Sequence, residues 1–259
     1  MAPARPAAEA PGALGAPLYV PGPEGPWDEV GDRLDDVGRA VVCTTWGQWL
    51  TAVLLDPALR PLLGDDWPRF RQTPAAAGRM RFAVSRFVVK YTAATALDVP
   101  VDTLDLGYGP GGRPLLQGQG AGVEVSLAHA DELIVVGVSR TGPIGVDAEP
   151  ADRDVSVELL RGHVCTAQEG AVLDALPEDE RRARLLRLWT LKEAYTKALG
   201  HGGRRRFSTF GFGLDEGGRV ALSEAADAQA PRPVGGEWSF ASHLVQDRYL
   251  VAEAHRLRP

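Results

Sequence analysis

Apolar positions recur along this chain with two different periods, and the changes between them divide it into elements. From Ala75 to Leu97, Met80, Val84, Phe87, Val88 and Tyr91 fall at helical spacing, which predicts a long helix with one buried face. A second long helix is predicted from about Leu185 through Lys197. No Gly or Pro interrupts the chain between Glu178 and Leu199, and Gly200 supplies a stop. Val123 to His129 alternates instead, with Val123, Val125 and Leu127 on one side and Glu124, Ser126 and Ala128 on the other, so it reads as a strand. A turn at Ala130–Asp131–Glu132 leads into the apolar run Leu133–Val138, and the two runs predict a hairpin. Ile144 to Glu149 alternates again and ends at Pro150. Val41–Val42 reads as the end of a strand, followed by a short amphipathic helix through Trp46, Trp49, Leu50, Val53 and Leu54. Phe207, Phe210 and Phe212, then Val220–Leu222, Trp238–Leu244 and Tyr249–Ala252, read as strands of a second sheet. A helix with several strands in each half predicts an α+β protein of two lobes. The expected division is a flexible Pro/Ala/Gly-rich extension over residues 1–30, an N-terminal lobe over 31–142 and a C-terminal lobe over 143–259.

Composition narrows the function classes. A length of 259 residues with 44% hydrophobic and 24% charged residues is that of an ordinary globular protein. A net charge of −6 argues against a general nucleic-acid binder. Apolar runs such as Leu133–Val138 are too short to span a bilayer, and the N-terminus lacks the apolar core of a secretory signal. Two cysteines, Cys43 and Cys165, make no disulfide framework and read as buried thiols in a reducing compartment. A cytoplasmic protein, not associated with membrane, is expected.

Candidate chemistry gathers on two of the predicted elements. Asp147 and Glu149, two apart on a strand, point to the same side, where paired carboxylates repel unless something positive lies between them. Oxygen ligands in such a pair suit a hard divalent cation, with Glu193 as a third. Trp189, Glu193 and Lys197, spaced by four, share one face of the second helix. Of 28 lysines and arginines only Lys90, Lys192 and Lys197 are lysines, so two of the three ammonium groups fall in one helical segment. An ammonium is a compact charge that Arg does not freely replace. Arg79, Arg81 and Arg86 mark the other faces of the first helix. The Gly107–Pro114 stretch reads as a loop carrying Arg113, and His129 ends a strand. On the residues alone, solvated ion pairs, surface acids and a structural His are the commoner readings, and the functional ones stay open beside them.

Taken together these motifs resemble a family. G-V-D-A-E, from Gly145 to Glu149, is followed about forty residues later by W-T-L-K-E-A-Y-T-K, from Trp189 to Lys197. The pair resembles the two signature motifs of 4′-phosphopantetheinyl transferases. Gly112–Arg113–Pro114, Ser126–Leu127–Ala128–His129–Ala130 and the Arg79–Lys90 helix are similar to softer family motifs, with Ala128 and Ala130 where hydroxyls often flank the His. The resemblance runs from about Val41 to the end and implies the monomeric, surfactin-activator type. That type has two pseudo-symmetric lobes, each a small mainly antiparallel sheet packed with helices, and binds its ligand at the lobe interface. It implies coenzyme A as substrate, an apo acyl or peptidyl carrier protein as partner, and Mg²⁺ (or Mn²⁺) as cofactor. The metal ligands implied are Asp147, Glu149 and Glu193, and the catalytic residues Glu193, Lys197 and Asp147. Phosphate contacts fall to Lys197, Arg86, Arg113 and His129, with Arg79 or Arg81 behind them and Lys192 ranked below Lys197. Two other classes remain open: a metal-dependent phosphohydrolase using the same acids, and a non-catalytic module that binds carrier protein or coenzyme A. Arg204–Arg206 reads either as a docking patch for an acidic carrier helix or as a solvated basic loop.

Overall fold

A computed structural model of the chain describes residues 15–57, 59–109, 112–120, 122–200, 206–214, 220–224 and 238–257. Within them the elements run β1 (Leu18–Tyr19), α1 (Trp27–Val37), β2 (Arg39–Thr45), α2 (Trp46–Leu55), α3 (Leu59–Leu63), α4 (Trp67–Gln72), α5 (Ala76–Leu97), β3 (Asp105–Tyr108), β4 (Pro114–Gln117), β5 (Glu124–Ala130), β6 (Leu133–Ser139), β7 (Ile144–Pro150), α6 (Val157–Val164), α7 (Ala167–Ala175), α8 (Glu178–Ala198), β8 (Phe210–Leu214), β9 (Val220–Glu224), β10 (Trp238–Val245) and β11 (Tyr249–Arg256).

The architecture is α+β, with small mainly antiparallel sheets and one layout used twice. In the first half β2 leads to the 22-residue α5, then to the β3–β4 hairpin, then to the β5–β6 hairpin, whose second strand pairs antiparallel with β2. In the second half β7 leads to the 21-residue α8, then to β8–β9, then to β10–β11, whose second strand pairs antiparallel with β7. The strand orders β2-β6-β5 and β7-β11-β10 therefore match, and β1 adds a short parallel strand outside β2. The junction between the two copies lies between Ser139 and Ile144.

Among the described residues, three apolar cores follow from this arrangement. One lies between α5 and the first sheet and includes Ala40, Val42, Val84, Phe87, Val88 and Val136. A second lies under α8 and includes Leu188, Leu191, Tyr195, Phe210 and Phe212. The third joins the two sheets, with Val41, Cys43, Ala128 and Ala130 on one side and Ile144, Val146, Ala148 and Val251 on the other. Period-two alternation thus buries both faces of β5: Val125 and Leu127 pack toward α5, Ala128 and Ala130 toward the other lobe. No helix among the described residues is long and apolar enough to cross a membrane.

Three expectations need correction or restriction. Residues 1–14 lie outside the described residues, but residues 15–30 are not a flexible extension. Leu18–Tyr19 pairs with Val42–Cys43, Val20 and Val30 are fully buried, and Trp49 Nε1 donates to the Val20 carbonyl at 3.0 Å. A few apolar side chains and one strand pairing anchor this proline-rich stretch without any periodic pattern. The Gly107–Pro114 stretch is not simply a loop, since both its ends belong to the β3–β4 hairpin; Pro110 and Gly111 lie outside the described residues. Phe207 sits in a 3-10 turn that leads into β8 rather than in the strand itself, and of Arg204–Arg206 only Arg206 is among the described residues.

Candidate active site

Helix α8 brings the C-terminal chemistry together. Glu178, Asp179 and Glu180 in its first turn complement the positive end of the helix dipole, and Gly200, at φ 73°, takes the left-handed conformation just past its end. Its buried face, Leu188, Leu191, Ala194, Tyr195 and Ala198, packs on the second sheet. Gly145 lets β7 approach so closely that a Cβ there would meet the Ala194 carbonyl and the Ala198 nitrogen. That contact lays the Gly145–Asp147–Glu149 side of β7 against α8. Lys197 Nζ then donates to Asp147 Oδ1 at 2.8 Å and to the Val146 carbonyl at 3.1 Å. Glu149 pairs with Arg153, whose guanidinium stands 5.9 Å over the Trp189 ring.

These side chains line one wall of a cavity of about 760 Å³ between the lobes. Asp147, Glu149, Glu193, Lys197 and Trp189 come from the C-terminal half. The opposite wall carries Arg69, Arg81, Arg86, Arg113 and His129. Acids therefore face bases across the opening. Asp147 is only 8% exposed, and its Oδ2 is buried without a hydrogen-bond partner among the described residues. Burial pushes the Asp147 carboxyl up from its ordinary pKa, against the pull of Lys197. Burial also raises Glu149, against Arg153, and raises Glu193, with the Asp147 and Glu149 charges adding to the effect. His129 is shifted down by desolvation and by Lys197, Arg81 and Arg86.

The three acids share the cavity but do not close into a cage. Among the described residues no group of three or more His, Cys, Asp or Glu side chains stands in a metal-holding arrangement. Lys197 occupies one oxygen of Asp147, and Arg153 holds Glu149. The Asp147 oxygen without a partner among the described residues, and the way the Asp147 and Glu149 charges raise Glu193, are nonetheless what a cation among them would relieve.

Two of the residues singled out in the sequence fall elsewhere. Lys192 is fully buried on the other side of α8, where Nζ binds Glu169 at 2.6 Å and the carbonyls of Val164, Phe207 and Phe210. One step along a helix turns a side chain about 100°, so Lys192 cannot share the face of Glu193. Arg79 turns back to the carbonyls of Thr73 and Pro74 and does not line the cavity. Arg86 and Arg113 line it while already engaged. Arg86 binds Asp66 at 3.1 Å and stacks 4.3 Å over Phe82, and Arg113 binds Glu124 at 2.8 Å. Arg81 has a buried Nε without a partner among the described residues. Arg69, which sequence reasoning missed, reaches the cavity from the short α4, with its guanidinium 5.4 Å over Phe82. Nothing in W-P-R-F-R-Q singles it out, because six residues give no readable period.

Comparison with known proteins bears on this site. Residues 143–254, the segment that carries all three acids and Lys197, match the model of the 4′-phosphopantetheinyl transferase superfamily. The 4′-phosphopantetheinyl transferase HetI of Nostoc sp. is 30% identical over 143 residues, covering 54% of this chain and 60% of the relative. A putative 4′-phosphopantetheinyl transferase of Synechocystis sp. is 28% identical over 159 residues, covering 58% of this chain and 65% of the relative. The chain thus spans less than two thirds of the length of either. Among solved structures, a holo-(acyl-carrier-protein) synthase of Bacillus anthracis, in complex with CoA (3′,5′-ADP), aligns with 46% of this chain and 98% of its own. The TM-score of that alignment is 0.36 at 18% identity. Through the segment from residue 143 to residue 254, the chain is similar to the 4′-phosphopantetheinyl transferase superfamily.

Proposed function

We propose that this protein transfers the 4′-phosphopantetheine arm of coenzyme A to a serine of an apo acyl or peptidyl carrier protein. The observation that carries the reading is the cavity itself. A pyrophosphate needs its charge neutralised, and here cations of one lobe face a buried, half-satisfied carboxylate of the other. The carrier serine oxygen forms a new bond to the phosphorus that bears the pantetheine arm. The bond from that phosphorus to the leaving adenosine 3′,5′-bisphosphate breaks, and the serine proton passes to a base. Glu193 stands in the cavity to accept that proton, directly or through water. Lys197, held by Asp147, steadies charge on the leaving phosphate, and Arg81, His129 and Arg113 bind the phosphates on the facing wall. The acids fit a divalent cation: Asp147, Glu149 and Glu193 would hold Mg²⁺ or Mn²⁺, which when bound supplies a Lewis acid and template for the pyrophosphate. Both walls come from one chain, so a single copy carries the whole site, which favours a monomer.

The test is incubation with coenzyme A, Mg²⁺ and an apo carrier protein, read by mass spectrometry. The expected result is a carrier heavier by the phosphopantetheine arm. Release of inorganic phosphate from simple phosphoesters, with no gain in carrier mass, would instead make it a metal-dependent phosphohydrolase. Binding of coenzyme A without turnover would make it a binding module. Lys197→Met, Asp147→Asn and Glu193→Gln are each expected to lower turnover by about a hundredfold or more while the chain stays folded. Near wild-type turnover in any one removes that residue from its role.

A further inference from the structure

β7 carries two of the acids, yet among the described residues it is the edge strand of its sheet, paired on one side only with β11. An edge strand leaves alternate N–H and C=O groups without ladder partners, and its position is only half fixed by its own sheet. The neighbour on the open side is β5, itself the edge strand of the first sheet. Among the described residues β5 and β7 form no ladder, so sheet pairing does not set their register. Side chains do so at one residue, Val146. Its N–H donates across the seam to Ser126 Oγ at 3.0 Å, and its carbonyl accepts from Lys197 Nζ at 3.1 Å. Lys197 in turn holds Asp147 at 2.8 Å. Ser126 is 3% exposed, and the side chains beside it at the seam, Ala128, Val146 and Ala148, are apolar.

We propose that Ser126 is a positioning residue of the transfer site, whose hydroxyl clamps the Val146 peptide of β7 and so keeps Asp147 and Lys197 in register with the cations of the other lobe. The proposal rests on the transfer reading given above. Without the hydroxyl the Val146 N–H is left buried and unmet, or takes in a water, and β7 is free to shift along the seam. A shift of that kind moves Asp147 relative to His129 and Arg113; Ser126 itself also lines the cavity, so a KM for coenzyme A that rises with the loss of kcat would mark a ligand contact and overturn the clamp.

The test uses the full chain in the carrier-modification assay. Ser126→Ala is expected to lower kcat about tenfold or more while the KM for coenzyme A stays within about twofold, because the misplacement falls on the reacting groups. Val146 amide hydrogen exchange should speed up in the same variant. Ser126→Cys, similar in shape but a weaker acceptor, should fall between the two. Ala130→Gly, in the same seam core and outside the cavity, controls for loosened packing. It should lower the melting temperature at least as much as Ser126→Ala and leave kcat within about twofold. An unchanged kcat in Ser126→Ala, or an equal kcat loss in Ala130→Gly at matched stability, overturns the clamp while leaving the transfer function standing. A wild-type chain that modifies no carrier overturns the function itself.

Discussion

In the N-terminal lobe, the side of the first strand that faces the long helix reads Ala40, Val42 and Thr44; in the C-terminal lobe, the corresponding side reads Gly145, Asp147 and Glu149. The layout around these strands is the same, but the chemistry differs. Ala40 and Val42 fill an apolar core against α5, and the cations of that helix, Arg81 and Arg86, point to the cavity wall. On the C-terminal side a glycine brings the helix close enough for a lysine one turn from Glu193 to reach Asp147. The core there is made good by aromatic rings, with Tyr195 centred 4.8 Å from Trp238 and 5.2 Å from Phe210. One lobe therefore spends its helix–sheet interface on packing and lends cations, while the other gives up packing to hold acids.

The sharpest way to break this comparison is at the glycine. A side chain at Gly145 would run into backbone atoms of Ala194 and Ala198, and backbone cannot turn aside as a flexible side chain can. Gly145→Val should therefore abolish cooperative unfolding of the C-terminal lobe, read by near-UV circular dichroism and thermal melting. Ala40→Val, at the matching position, has a Cβ already and should cost about 1–3 kcal/mol of overpacking. Equal melting temperatures for the two variants would show that close approach is not what separates the lobes.

Helix α8 was legible because its sequence lacks breakers, and the shared face of Glu193 and Lys197 because four residues make about one turn. The common side of Asp147 and Glu149 followed from strand alternation. The fate of Lys192 was not legible. Its partner Glu169 sits 23 residues upstream on α7, also capping that helix through the Thr166 N–H and accepting from Phe212 N. Only tertiary packing of α7, α8 and β8 makes that site, and no local pattern encodes it. The same holds for residues 15–30, whose few buried side chains are spaced irregularly among prolines and glycines.

Lys192 and Lys197 give the next largest effect, and they sharpen the contrast within one helix. Lys192→Met removes one half of a buried pair and should cost about 3–5 kcal/mol in urea unfolding, with Lys192→Met/Glu169→Gln recovering part of it. Lys197, half-buried at the cavity, should cost less than Lys192 when changed to Met, because its end of the pair reaches solvent, and show its loss in turnover instead. Similar stability losses in both would mean that the cavity lysine is structural.

Where the lobes meet, Arg39 binds the buried Glu253 at 3.2 Å, and His255 Nε2 lies 3.1 Å from Ser139 Oγ and 3.2 Å from Thr141 Oγ1. Burial pushes Glu253 up to about 7 and His255 down to about 4. The raised Glu253 contributes stability below its unfolded value of 4.5 and loses it as pH rises through about 7. The lowered His255 contributes stability above 6.5 and loses it as pH falls through about 4. Between 4.5 and 6.5 the two slopes oppose each other, each at most about 1.4 kcal/mol per pH unit. His255→Gln removes the slope that opposes Glu253, so the variant should lose more stability than the wild type from pH about 5 to about 7. Urea midpoints at the two pH values decide it; parallel wild-type and variant curves would show that His255 does not titrate in this window.

The smallest effect separates the two lobes most cleanly, because it concerns the one polar member of the N-terminal row. Thr44 is fully buried, and its Oγ1 has no hydrogen-bond partner among the described residues. Desolvating a hydroxyl without a partner costs free energy, and Val has nearly the same shape, so Thr44→Val should be neutral or stabilising by up to about 1 kcal/mol. Asp147 likewise has a buried oxygen without a partner, yet Asp147→Asn is expected to lose turnover. Carrier modification at wild-type rate by Thr44→Val, with a melting temperature equal or higher, would show that an unmet polar atom facing α5 is only a packing remnant. A measurable loss of transfer in Thr44→Val would mean that the first lobe's strand also acts on the site, and the division of labour between the two halves would fail.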